Sequence, residues 1–140
     1  MTSDGVDLNS ILGISSAGMS AQTTRLRVIA ENVANQDSTS STPGGIPYRR
    51  KTVTFANGLD RALGVDVVKI ASIGHDKSDF PLRYDPSHPA ADANGYVRTP
   101  NVNSFIEVMD MREAERSYNA NLAVLQSTRG MLERTIGMLK

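Results

Sequence analysis

Two stretches at opposite ends of this chain space their apolar side chains as an α-helix does, and any fold must bury or share both stripes. From about Leu8 to Val33, Leu12, Met19, Leu26 and Val33 form one column at intervals of seven. Leu8 and Ile29 lie in the next column, Ile11 and Gly18 in another, and Ile14, Ala21 and Val28 complete the set. At the helical rotation per residue these columns cover an arc of roughly 160°. The opposite face carries Asn9, Ser10, Ser16, Ser20, Thr23, Thr24, Arg27 and Glu31.

The C-terminal stretch, from Asn103 or Ser104 to Leu139, repeats the design. Met111, Tyr118, Leu125, Leu132 and Leu139 make one column, and Val108, Leu122 and Ile136 make its partner, interrupted by Glu115 and Arg129. Val124, Met131 and Met138 widen the stripe. Asn103 and Ser104 are candidate caps, with Glu107 three residues after Ser104 in capping-box register. A plain helical hairpin would bury one stripe per helix, whereas these are wide enough to touch more than one neighbour. Gly18, Gly130 and Gly137 each weaken a helix by about 1 kcal/mol relative to Ala, and small residues there would admit another backbone. The pattern therefore predicts helices built to pack in a multi-subunit assembly.

Between the helices the composition changes. Residues 36–47 are rich in Ser, Thr, Pro and Gly and read as a linker. Strand candidates follow at Tyr48–Phe55, Val65–Ile73, Phe80–Tyr84 and Tyr96–Arg98, with Asn94-Gly95 a turn signal before the last. Pro86, Pro89 and Pro100 break the surrounding segments. A unit of this size is marginal by itself and is expected to lean on the helices or on adjacent subunits. The fold class expected is α+β, with long N- and C-terminal amphipathic helices packed as a coiled-coil-like pair around a small β-rich middle segment. In domain terms, residues 1–35 plus 103–140 form a discontinuous helical assembly domain, 36–47 the linker and 48–102 the β-rich insert.

Charge and cysteine content narrow the functions open to such a chain. Fifteen Lys and Arg balance fifteen Asp and Glu, so no overall field attracts nucleic acid or anionic lipid. Zero net charge instead favours association. No cysteine is present, which removes disulfides, thiolate metal sites and a cysteine nucleophile. No apolar run approaches bilayer-spanning length. The acidic start, Met1 to Asp7, with Arg25 the first basic residue, leads us to expect no Sec-type signal.

A catalytic site is not expected. No phosphate-binding loop, dinucleotide fingerprint or His-Glu-x-x-His is present. His75 and His88 fall near Asp76, Asp79, Asp85 and Asp92, yet at no metal-ligand spacing, and Ser15-Ser16 and Ser40-Ser41 lack an activating partner. Arg49-Arg50-Lys51 is the one basic cluster, and without further aromatics it reads as a solvated strand or as a contact for acidic residues of a neighbouring subunit. No cofactor and no metal are expected.

Several motifs carry a resemblance. Ala30-Glu31-Asn32-Val33-Ala34-Asn35 resembles the signature of the axial proteins of the bacterial flagellum, the rod, hook and hook-associated proteins, with Ser38 where that family usually has Thr. In physical terms, such Asn and hydroxyl side chains can cap the helix end and start a turn. Thr42-Pro43-Gly44-Gly45-Ile46-Pro47-Tyr48-Arg49-Arg50-Lys51 is similar to the Pro/Gly linker and strand of the proximal-rod proteins. The most specific stretch runs from Tyr84-Asp85-Pro86-Ser87-His88-Pro89-Ala90-Ala91-Asp92 through Asn94-Gly95-Tyr96-Val97 to Pro100-Asn101-Val102-Asn103. Arg116-Ser117-Tyr118 with Asn121 resembles the C-terminal axial-protein segment.

The resemblance implies a non-enzymatic subunit of the basal-body rod, of the proximal type, polymerising through its terminal helices into a torque-transmitting shaft. It implies export by the flagellar type III route and a periplasmic location. It further implies contacts with other proximal and distal rod proteins, with a membrane-ring adaptor, with the export apparatus during secretion and with further copies of the chain, but no nucleic acid and no small-molecule substrate. His88 and Asp92 would then be structural. The reading that competes from another class is a soluble coiled-coil adaptor or export chaperone that never assembles.

Overall fold

The structure, a computed structural model, describes residues 7–140. The first six residues, on which part of the signal-peptide expectation rests, lie outside the described residues. In chain order the elements are α1 (Leu8–Ala34), β1 (Lys51–Asp60), β2 (Val65–His75), β3 (Leu82–Tyr84), β4 (Tyr96–Arg98) and α2 (Ser104–Met138), the strands forming two two-stranded sheets. The α+β class expected from the sequence is the class observed.

Both helix starts are set by local chemistry. Asp7 is the N-cap of α1: its Oδ1 accepts from Ser10 N at 2.7 Å, while Ile11 N closes on Asp7 O. That hydrogen bond from the Ser10 backbone holds the Asp7 carboxyl below its ordinary value. Asn103 caps α2, its Oδ1 accepting from Phe105 N at 3.0 Å. Glu107 is not the reciprocal member of a capping box. Its side chain points inward and is fully buried, because it meets a guanidinium described below.

The β1 strand starts three residues later than expected and runs on to Asp60, since pairing with β2 carries it past Asn57-Gly58. A connection of only four residues between them requires an antiparallel hairpin. Its turn is fixed by Asp60, whose Oδ1 accepts from Ala62 N and Leu63 N, and by Gly64 at φ +68°. The short strands β3 and β4 pair antiparallel, Leu82 with Arg98, Arg83 with Val97 and Tyr84 with Tyr96. Asn94-Gly95 makes the expected turn, with Gly95 at φ +83° and its N–H on Asp92 O.

The chain divides into two compact units. The first comprises the residues up to Leu26, Thr54–Ser72 and Arg112–Lys140; the second comprises Arg27–Val53 and Ile73–Met111. In the first, α1 and α2 meet antiparallel: a side chain on Gly18 would strike the Asn121 amide at 2.8 Å, and Arg25 reaches Glu113 at 3.5 Å. Gly18 thus serves a close approach within the chain, not an approach by a foreign backbone. A side chain on Gly130 would meet only Arg134, and one on Gly137 would meet nothing within 4 Å.

Among the described residues the buried apolar ones are Ala21, Val28, Ile29, Val67, Ala90, Val97 and Ala114, none larger than Ile. On α2 the most covered column is Glu107, Ala114, Asn121 and Thr128, a small and polar seam beside the apolar columns expected to pack.

Candidate assembly surface and its polar anchor

The second unit is organised by Asn32, of which 1% is exposed. Its Oδ1 accepts from the Tyr48 hydroxyl at 2.7 Å and from Lys51 N at 2.9 Å. Its Nδ2 donates to Lys51 O at 2.9 Å and to Glu107 Oε2 at 3.4 Å. Two donors and two acceptor positions are all an amide side chain offers, so Asn32 is fully satisfied. Burial pushes the Tyr48 hydroxyl above its ordinary value.

Arg50 closes the other side of this anchor. Its Nε donates to Glu107 Oε1, and its terminal nitrogens lie 3.3 Å from Asp110 and 3.7 Å from Asp76. A buried carboxylate needs such a partner, because desolvation otherwise costs several kcal/mol. Lys51 pairs with Glu31 at 2.9 Å. This contact holds the Glu31 carboxyl below, and the Lys51 ammonium above, their ordinary values. Arg49 donates to the carbonyls of Asp76 and Ser78 and stacks over the Phe80 ring at 4.2 Å. The basic cluster is therefore neither a solvated strand nor free to meet a neighbour's acids, because each of its cations is engaged inside the chain.

Asn101 fastens the same region. Its Oδ1 accepts from Arg50 N at 2.8 Å, and its Nδ2 donates to Asp76 O at 2.9 Å and to Ser78. Asp76 accepts from the Ser78 backbone, which lowers its pKa. At the end of α1, Asn35 Nδ2 returns to Glu31 O and its Oδ1 accepts from the Ser38 hydroxyl. Ser38 thus does in this chain what a Thr could do in the same place. Ala34, by contrast, is exposed.

The Asp-Pro-Ser-His-Pro stretch is a closed loop. Asp85 N donates to Gly95 O and Asp92 N to Tyr96 O. Pro86 packs against Gly95, and Pro100 is buried while Pro89 is exposed. His88 Nδ1 accepts from Ala90 N at 2.9 Å, so the neutral ring carries its proton on Nε2, which faces Thr39 Oγ1 at 3.0 Å. Asp92 accepts from Asn94 N and Tyr96 N. His75 is exposed, and among the described residues no group of His, Asp and Glu is placed to hold a metal ion.

The apolar columns of the helices are only partly covered. On α1, Ile29 is buried, and Leu12, Met19, Leu26 and Val33 are half-buried. On α2, Tyr118, Leu122, Leu125 and Leu132 are half-buried, while Val124, Met131 and Ile136 are exposed; Met138 at its end and Leu139 just beyond it are more than four-fifths so. Arg116 is exposed and Asn121 sits at the helix seam. No described helix is long and apolar enough to cross a membrane.

Comparison with known proteins shows the family. The chain is 54% identical over 127 residues to the flagellar basal-body rod protein FlgC of Agrobacterium fabrum, covering 91% of each. The chain belongs to the FlgC family. The FlgC of Salmonella typhimurium is 40% identical, over 92% of this chain and 96% of its own length. That of Bacillus subtilis is 36% identical, over 89% and 93%. Residues 93–138 also match the profile described as flagellar basal body rod FlgEFG protein C-terminal. That segment holds the whole of α2, the helix with the least covered apolar face.

Proposed function

We propose that this chain is a structural subunit of the flagellar basal-body rod, of the proximal type, and that it has no catalytic role. The observation that carries the reading is full-length similarity to FlgC proteins of several bacteria. No relative favours the non-assembling adaptor. The half-covered columns of α1 and α2 supply the mechanism: each leucine that a neighbour covers adds roughly 1.5–3 kcal/mol, repeated at every subunit of a tubular shaft that carries torque. Other rod proteins and further copies of this chain are the partners of these columns, in the periplasmic part of the basal body.

Passage through the flagellar type III export channel suits the sparse core. Among the described residues, three of the seven buried apolar ones are alanines, so unfolding exposes little apolar surface and ordering completes where partners add theirs. The polar anchor around Asn32 and Glu107 gives the refolded chain one geometry.

The test is imaging of basal bodies from cells lacking the gene, beside a complemented strain. Membrane rings without a rod, in immotile cells that complementation restores, are expected. Intact rods and normal swimming would overturn the reading.

A further inference from the structure

Oxidants that attack side chains have few targets in this chain. It holds no cysteine and no tryptophan, so the methionine thioethers are its most readily oxidised groups. Met19 and Met111 are half-buried, whereas Met109, Met131 and Met138 are 53%, 52% and 85% exposed. Exposure decides which of them reacts, because the oxidant has to reach the sulfur lone pair.

Met131 and Met138 share a position that Met109 does not. With Val124, itself exposed, they stand at intervals of seven on α2 and form one column of its surface. Apart from the two sulfurs this column presents only hydrocarbon, and the unbranched methionine side chain adapts to an irregular partner surface. One oxygen on either sulfur turns a flexible apolar side chain into a polar one. Both side chains are exposed in the free chain, so that change spares the chain's own fold and falls on whatever covers the column.

We infer that Met131 and Met138 are sulfoxidation sites at which a peroxide controls incorporation of the chain into an assembly. The sulfur lone pair attacks one oxygen of hydrogen peroxide, the O–O bond breaks and an S–O bond forms. The second oxygen leaves as water, reduced by the two electrons that the sulfur gives up. Methionine sulfoxide reductases return the product to the thioether, so the block is reversible. The inference rests on the assembly reading above and adds a chemical condition to it: the column joins a neighbour only while both sulfurs are unoxidised.

The experiment treats the purified full chain and purified basal bodies with hydrogen peroxide and maps sulfoxide by peptide mass spectrometry. In the free chain Met131 and Met138 should oxidise several-fold faster than Met19 and Met111, with thermal unfolding unchanged. In basal bodies the same two sulfurs should be protected. In cells, the pair Met131→Gln and Met138→Gln holds polar groups of similar size in the column. This variant should be exported and melt as the parent does, while its content in basal bodies falls about tenfold. The pair Met131→Leu and Met138→Leu keeps the column apolar and should assemble at the parental level. Parental incorporation of the glutamine pair would overturn the inference, as would a glutamine pair that melts far below the parent. Loss of the leucine pair from basal bodies, or oxidation of both sulfurs there at the free-chain rate, would overturn it too. The rod reading would survive each of these results, since it stands or falls on the basal bodies of cells lacking the gene.

Discussion

The two units solve the burial problem in opposite ways. The second unit buries polar groups and satisfies them: Asn32 makes four hydrogen bonds, and Glu107, fully buried, faces a guanidinium and an amide. The first unit joins its helices where Gly18 meets Asn121 and Arg25 meets Glu113, and leaves Val124, Met131, Ile136 and Met138 in solvent. An internally complete polar cluster specifies a geometry and has little left to offer a partner. An incompletely covered apolar stripe does the reverse. On the proposed reading, shape is fixed in one part of the chain and capacity to assemble is held in another.

The comparison breaks most visibly at Glu107. Glu107→Leu should lower stability by about 3 kcal/mol, because it removes the buried acceptor of both Arg50 Nε and Asn32 Nδ2 and leaves Arg50 with Asp110 and Asp76 alone; thermal unfolding of the purified chain measures this. Asn32→Leu comes next, at about 1–3 kcal/mol for each polar group left buried without a partner, the groups at risk being Lys51 N, Lys51 O and the Tyr48 hydroxyl. Gly18→Val should also destabilise, by about 1–3 kcal/mol through overpacking against Asn121. Ile136→Ser, in the exposed stripe, should change free-chain stability by less than about 0.5 kcal/mol while reducing swimming.

The smallest expected effect is the pH dependence. Glu31 and Asp76 have lowered values in the folded chain, so their stabilising contributions are complete above the ordinary carboxylate range. They fade as pH falls below about 4. Lys51 has a raised value, so its contribution persists to alkaline pH and is lost only as pH rises through that value, above about 10. Denaturant midpoints across pH should show a shallow decline at both ends, and Glu31→Gln should flatten both.

Much of this was legible from the sequence. Leu8 to Val33 was expected to be helical and Leu8–Ala34 is; the C-terminal helix begins at Ser104 and ends one residue short of the expected Leu139. Helical periodicity is a local signal, and so is the turn at Asn94-Gly95. What stayed hidden depends on distant partners. Arg50 and Glu107 lie 57 residues apart, and neither spacing nor charge reveals that they meet. Glu107 read locally is a helix cap, and Tyr48 to Lys51 read locally is an exposed strand. The covered seam of α2 was missed for a related reason. Glu107, Ala114, Asn121 and Thr128 are not apolar enough to register as a stripe, yet small and polar side chains are what a close helix pair requires.

The central claim is that the part of the helical apolar columns left uncovered by the chain's own fold is covered by neighbours in the rod. Leu125→Asp, at a half-buried position of α2, tests it most directly when export, free-chain folding and the content of purified basal bodies are followed together. The account predicts a protein that is exported, melts within a few degrees of the parent and is absent from basal bodies of immotile cells. Basal bodies that contain it at the parental level, in cells that swim normally, would contradict the account.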